Sequence, residues 1–253
     1  PNDTGNTKVP LGILYISALL KRNGHEVSIF DSTWFGLELD KNDYTIRGDY
    51  LNFQTLDLTP YGVVFEKTTF DGIAKRLEQH LDEFKPDMIG ISITEDTSRT
   101  GLKFARLCKQ FRPNIPVVVG GVYCMTRPDI VIADESVDIV CIGEGELAVQ
   151  ELTNRFANGQ SIEDIQNLWV KLPGGGVRKN EVGPPAALET LPYLDLSLID
   201  ERHLYAPFAG HVYKMSFVES QRGCPRRCTY CCNQIFLDTY KKYGGQYLRR
   251  KSI

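Results

Sequence analysis

Asp87-Met-Ile-Gly-Ile-Ser-Ile-Thr94 follows directly on Pro86 and is apolar along most of its length, which marks a short buried strand. Pro116-Val-Val-Val-Gly-Gly121 and Val137-Asp-Ile-Val-Cys-Ile-Gly143 repeat the pattern. Around them lie stretches with helical spacing: 70–84, 99–111, a short helix opened by Pro128 and ending near Ala133, and Glu144 to Asn158. Apolar strands that alternate with helices point to a doubly wound α/β fold, its parallel sheet covered on both faces. Upstream, residues 11–23 form a further helix stopped by Gly24, and Glu26-Val-Ser-Ile-Phe-Asp31 reads as a further strand. Residues 32–60 are mixed and turn-rich, with no assignable element. Downstream, Asn167 to Asn180 is a β-hairpin around three glycines, and 182–210, rich in proline and turn residues, is a surface linker.

Sheets of this kind bind ligands in a crevice at the carboxyl ends of their strands. Three strand ends supply that crevice here: Ser92 and Thr94, then Gly120 and Gly121, then Gly143, Glu144 and Gly145. Glycine lets backbone approach a ligand closely, and helix amino termini favour phosphate.

A second site lies near the other end of the chain, in Cys224-Pro-Arg-Arg-Cys228-Thr-Tyr-Cys231. Thiolate is a soft ligand suited to iron–sulfur clusters, and three thiolates leave one iron of a four-iron cluster open to a small molecule. Arg222, Arg226 and Arg227 add positive charge that favours the thiolate form. A strand from Met215 is expected to run into this loop. Zinc is the alternative, but structural zinc sites usually want four ligands in two separated pairs, and no second pair exists. Cys108, Cys124 and Cys141 sit singly in apolar runs and read as small core residues. Seven cysteines is an odd count and no signal peptide is visible, which argues against a disulfide framework.

Composition narrows the class. The chain has 253 residues, 42% hydrophobic and 24% charged, the balance of an ordinary globular protein. A net charge of −3 gives no basic field for nucleic acid, and no apolar run reaches a membrane span. Exposed thiolates imply a reducing, cytoplasmic setting.

The cysteine spacing, with Tyr230 just before the last cysteine, resembles that of the radical S-adenosylmethionine enzymes. The resemblance implies that Cys224, Cys228 and Cys231 bind a 4Fe-4S cluster and that Tyr230 lies near the adenine. In that family S-adenosylmethionine chelates the fourth iron, and one electron cleaves it to a 5′-deoxyadenosyl radical. Cys232 has no place in the pattern. Val9-Pro-Leu-Gly-Ile-Leu-Tyr, Gly24-His-Glu-Val, Gly90-Ile-Ser-Ile-Thr, Val119-Gly-Gly and Ile142-Gly-Glu-Gly-Glu resemble the flavodoxin-like cobalamin-binding domain that precedes the barrel in one branch of that superfamily. The resemblance thus implies a cobalamin-binding, Rossmann-like domain over 1–160, hairpin and linker over 161–212, and from 213 to 253 the first strand and cluster loop of a partial TIM-type barrel. It also implies a piece of a longer enzyme, inactive by itself, since such a barrel needs many further strands.

In the wider cobalamin-binding fold an Asp-x-His-x-x-Gly motif gives a histidine to cobalt. Asp31-Ser-Thr-Trp-Phe-Gly36 keeps the aspartate and glycine but has Thr33 at the histidine position. His25, His80, His203 and His211 are all poorly placed to replace it. Trp34 and Phe35 are candidates for a corrin-facing surface or for core. The implied activity is cobalamin-dependent methyl transfer to an unactivated carbon. Rearrangement or ring formation on the same scaffold, a non-catalytic cobalamin-binding module and a plain electron-transfer protein are the alternatives. The expected partners are a small-molecule or peptide substrate and a reductant such as flavodoxin or ferredoxin.

Overall fold

The computed structural model describes residues 9–37, 58–243 and 247–251. These residues fall into two compact units. The smaller takes its described residues from 1–10, 28–84 and 196–218, and the larger from 11–27, 85–195 and 219–253.

In chain order, α1 spans Leu11–Arg22, β1 Phe35–Leu37, β2 Glu66–Thr68 and α2 Phe70–Phe84. Next come β3 (Ile89–Ser92), α3 (Ser98–Phe111), β4 (Val117–Gly120), α4 (Val122–Thr126), α5 (Pro128–Ala133), β5 (Ile139–Cys141) and α6 (Gly145–Ala157). The chain then forms β6 (Leu168–Lys171), β7 (Val177–Lys179), β8 (Tyr205–Phe208), β9 (His211–Lys214), β10 (Gln221–Arg222), α7 (Asn233–Tyr240) and β11 (Arg249–Arg250).

The larger unit is built on a five-stranded sheet in the order β3-β4-β5-β6-β7. β3, β4 and β5 are parallel, as their apolar runs predict. Val117 to Val119 and Ile139 to Cys141 are all buried, so these strands are covered on both faces. The glycine hairpin forms as expected, and it also joins the sheet, with β6 antiparallel to β5. The sheet is therefore mixed. Its core gathers Val118, Ile139, Ala148, Leu152, Ile165, Leu168 and Val170. β3 is less covered than its sequence suggests: Ile89 and Ile91 are half-buried, Gly90 and Ser92 exposed.

Helix α3 buries Ser98, Gly101, Ala105 and Cys108, small residues at helical spacing. A Cβ on Gly101 would collide with the Ile93 side chain, so this glycine sets a close helix–strand approach. Helix α1 packs along α6 and ends as its sequence predicts, with Gly24 at φ 86° and the His25 N–H donating to Leu20 O at 3.1 Å. Residues 186–191, assigned to the linker, are part of this unit's core: Ala186, Leu188 and Leu191 cover Tyr15 and Leu19.

The smaller unit pairs β1 with β2 in parallel and β8 with β9 in antiparallel. The β8–β9 turn, Ala209-Gly210, has both residues at positive φ (50° and 81°), the geometry of a two-residue hairpin loop. A hairpin thus stands where the sequence reads as linker. Trp34, Leu58 and Val63 form the core, with Phe65, Tyr205 and Val212 against it, so Trp34 serves as core.

The strand expected over 26–31 does not form. Exposure alternates from Glu26 to Ile29 as in extended chain, but no described strand pairs with it, and a strand exists through its ladder. The strand expected from Met215 is likewise reduced to Gln221–Arg222, paired with β11.

Asp31 anchors the smaller unit. Its Oδ2 lies 2.6 Å from Nε2 of buried His203, and its Oδ1 accepts the Thr33 N–H at 3.0 Å. Burial alone would raise the Asp31 carboxyl, but the His203 and Thr33 hydrogen bonds outweigh it and hold it at about 2. A depressed carboxyl stabilises the fold above its unfolded value and loses that contribution as pH falls through the folded one. The group should therefore contribute about 2 kcal/mol near neutrality, lost between about pH 4 and pH 2. Urea titrations across that range should show Asp31→Asn weakened at neutral pH and lacking this part of the acid slope. An Asp31→Asn protein as stable as the parent at neutral pH would contradict the assignment.

Candidate functional site

The strand-end residues meet as the parallel topology requires. Ser92 is in register with Gly120 across β3 and β4, and the Ile93 N–H donates to Gly120 O at 2.8 Å. Ser92, Thr94 and Gly121 are exposed and Gly120 is half-buried. The Thr94 N–H donates to Thr97 Oγ1 at 2.9 Å, which shapes the entry to α3. The two glycines differ. A Cβ on Gly120 would meet nothing closer than Cys141 Cβ at 3.6 Å, an ordinary contact. Gly121 has φ 102°, and a Cβ there would strike the Ile93 carbonyl oxygen. Its glycine is required by the fold itself.

The third strand end is enclosed. Gly143 has φ 79°, and a Cβ on it would lie 2.7 Å from the Tyr240 hydroxyl and 3.1 Å from Val182 Cγ1. The Glu144 N–H donates to the Tyr240 hydroxyl at 3.0 Å. Asn167 completes the turn: its Nδ2 donates to Glu144 O at 2.8 Å and its Oδ1 accepts the Gly183 N–H at 2.6 Å. The Glu144 carboxylate is bound by the Arg249 guanidinium, by the Ala186 N–H at 2.9 Å and by Arg222 Nη1 at 3.4 Å. Buried Glu146 accepts from Arg222 Nη1 at 2.7 Å, and Glu219 from Arg222 Nη2 at 2.9 Å. Burial opposes the Arg222 charge, and the Glu219, Glu146 and Glu144 carboxylates outweigh it, so the guanidinium is held firmly charged. A Cβ on Gly145 would meet Ile16 Cδ1 at 3.3 Å.

The cysteine loop belongs to this same unit. Gly223, at φ 96°, brings its backbone against Tyr247, where a Cβ would overlap the carbonyl. Asn233 ties the loop from within: its Nδ2 donates to Cys224 O at 2.9 Å and Arg226 O at 3.1 Å. The Cys231 N–H donates to Cys228 O at 3.1 Å. Sequence alone singles out neither Asn233 nor Tyr240; an amide just past the last cysteine and a tyrosine at the end of the following helix carry no local signal. Tyr230 is 90% exposed. Of the arginines expected to favour thiolates, Arg222 is committed to the three glutamates and Arg227 Nη1 pairs with Asp238 at 3.0 Å.

The cysteines sort into two kinds. Cys224 and Cys228 are half-buried and Cys231 and Cys232 exposed, all free. Cys108, Cys124 and Cys141 are buried; burial pushes the Cys108 thiol up to about 11 and, with Glu146 adding to it, the Cys141 thiol up to about 12. Among the described residues no three His, Cys, Asp or Glu side chains converge on a point that would hold a single metal ion. A cubane cluster makes a different demand, because each thiolate binds its own iron at a separate corner. Three accessible free thiols on one short loop fit that donor set.

A family profile described as the B12 binding domain matches residues 56–153, which include α2 to α5, β5 and most of α6. An uncharacterized methyltransferase of Pyrococcus horikoshii is 26% identical over 97% of this chain and 45% of its own length. The cytidylyl-2-hydroxyethylphosphonate methyltransferase of Streptomyces wedmorensis is 24% identical over 100% of this chain and 48% of its own length. The cobalamin-dependent radical SAM methyltransferase TokK of Streptomyces tokunonensis is 29% identical over 65% of this chain and 25% of its own.

The chain carries a B12-binding domain and is similar to proteins named as cobalamin-dependent radical S-adenosylmethionine enzymes.

It spans about half or less of the length of these curated relatives. The fold agrees. The radical S-adenosylmethionine methyltransferase TsrM from Kitasatospora setae superimposes with a TM-score of 0.53 over 94% of this chain and 43% of that one, at 16% identity. The cobalamin-dependent S-adenosylmethionine radical enzyme OxsB gives 0.51 over 69% of this chain and 24% of that one, at 19% identity. No helix among the described residues is long and apolar enough to cross a membrane.

Proposed function

We propose that this chain forms the cobalamin- and cluster-binding part of a cobalamin-dependent radical S-adenosylmethionine methyltransferase acting on an unactivated carbon of a small molecule or peptide. The observation that carries the reading is a loop of three accessible free thiols in the same compact unit as parallel strand ends where exposed Ser92 and Thr94 flank Gly120. When bound, the cluster and the two cofactors supply reductive cleavage of S-adenosylmethionine and a transferable methyl group. Cys224, Cys228 and Cys231 would hold three irons and leave the fourth open. Exposed Tyr230 would lie along the adenine. Gly120 would admit the cobalamin tail close to backbone, with the Ser92 and Thr94 hydroxyls beside it. A flavodoxin or ferredoxin would deliver the electron.

The test is the full-length protein, reconstituted without oxygen and given S-adenosylmethionine and a strong reductant. Release of 5′-deoxyadenosine together with a methylated product supports the reading. Bound cofactors with no 5′-deoxyadenosine would reduce the protein to a binding module.

On the cobalt's lower face the reading expects no histidine. Thr33 stands at the motif position, and its N–H closes a turn onto Asp31. The Nε2 of His203 is taken by Asp31 and its Nδ1 is buried; the Nε2 of His25 is 3.1 Å from Asn154 Oδ1, and that of His80 3.1 Å from Ser28 Oγ. Electron paramagnetic resonance of the cob(II)alamin form should lack nitrogen superhyperfine splitting. Splitting that disappears in His203→Ala or His25→Ala would overturn this assignment.

A further inference from the structure

Sequence assigns the Gly143-Glu144-Gly145 turn to the cobalamin crevice, yet its polar groups are already engaged by segments that flank the cysteine loop. On the near side of the loop, Arg222 stands two residues before Cys224 and reaches Glu146 at 2.7 Å and Glu144 at 3.4 Å. On the far side, α7 starts directly after Cys232 and ends in Tyr240, which is fully buried with its hydroxyl on the Glu144 N–H. Tyr240 stacks on Tyr247 with centroids 5.7 Å apart and planes 5° from parallel, and Tyr247 stacks on Phe236. The backbone of Tyr247 is what makes Gly223 obligatory, and Arg249, two residues on, closes over Glu144. Both ends of the loop are thus tied to one turn. The loop between them keeps its thiols accessible and Tyr230 almost wholly exposed.

We infer that this turn is the seat of the cluster loop, with Glu144 and Tyr240 as positioning residues that fix where the open iron sits relative to the B12-binding sheet. Glu144 does this with charge, drawing Arg249 and Arg222 to one carboxylate. Tyr240 does it through a single hydrogen bond that Gly143 makes room for. Cobalamin would then rest on the two remaining strand ends, at Gly120, Ser92 and Thr94. A seat of this kind gives the fold a way to set the distance between two cofactors that must act on one substrate, and misplacement by an ångström can cost orders of magnitude in rate.

The inference rests on the function proposed above, and the experiment separates the two. Full-length protein and its Glu144→Gln and Tyr240→Phe variants are reconstituted without oxygen. Each is measured for cobalamin retained after desalting, for the paramagnetic resonance of the reduced cluster with and without S-adenosylmethionine, and for 5′-deoxyadenosine release. Both variants should keep parental cobalamin. The change that S-adenosylmethionine makes to the cluster spectrum should be altered in both, and nucleoside release should fall on the order of tenfold or more. Lost cobalamin with a parental cluster spectrum in Glu144→Gln would return the residue to the cobalamin crevice and overturn the inference. If Glu144→Gln does not fold, Tyr240→Phe decides, since it keeps the stacked ring and removes only the hydroxyl; a parental spectrum and rate there overturn the inference. A parent that assembles no cluster would overturn the proposed function and this inference with it, whereas variants that match an active parent overturn this inference alone.

Discussion

Cys224→Ala, Cys228→Ala and Cys231→Ala are each expected to abolish the broad iron–sulfur absorption of the anaerobically reconstituted full-length protein, while Cys232→Ala retains it. A cluster held by three thiolates has none to spare, so losing one removes the cluster rather than weakening it. Cys108, Cys124 and Cys141 cannot substitute, being buried in the larger unit with thiols held neutral. Cys231 and Cys232 are the close competitors, since both are exposed. They differ in backbone role. Cys231 closes the loop through its N–H on Cys228 O, whereas Cys232 O accepts the Ile235 N–H at 2.9 Å and so opens α7. The Cys231 sulfur also accepts the Asn233 N–H at 3.5 Å, a second tie to the loop. A cluster lost in Cys232→Ala and kept in Cys231→Ala would reverse the ligand assignment.

The second large effect separates two adjacent glycines. Gly120→Trp should leave the sheet folded, because its Cβ has only ordinary contacts, and should cut cobalamin uptake on the order of tenfold by crowding the strand end. Gly121→Ala should instead damage the fold. Its left-handed φ and the Ile93 carbonyl in its path together cost about 1–3 kcal/mol. Cobalamin absorbance after desalting and a thermal melt on the same samples measure both. Equal uptake by Gly120→Trp and the parent would remove the crevice from β4.

What sequence showed and what it missed follow from distance along the chain. α5 was legible to the residue because Pro128 sets its first turn, and the β6–β7 hairpin because three glycines mark its loop. The parallel core was legible because Val117 to Val119 and Ile139 to Cys141 are apolar without interruption. The attachment of β6 to β5 was not, since a pairing partner leaves no mark on a strand's own pattern. The same holds for 26–31, whose composition is that of a strand but which has no described partner. The β8–β9 hairpin hid behind prolines that read as linker. In the site, the cysteines announced themselves by spacing, whereas the Glu144–Arg249 pair joins residues 105 positions apart. By sequence, a Glu-x-Glu at a helix start, preceded by glycine, reads as a ligand turn; only the fold shows that arginines and a tyrosine from the cysteine segment already fill it.

We propose that one chain joins a B12-binding sheet to an open-iron cluster. The most direct measurement is to count metal and cofactor on the full-length protein after anaerobic reconstitution and desalting. About four irons and a single cobalamin per chain are predicted, with no zinc. Zinc held by the three-cysteine loop in place of iron, or a full complement of iron with no cobalamin retained, would contradict it.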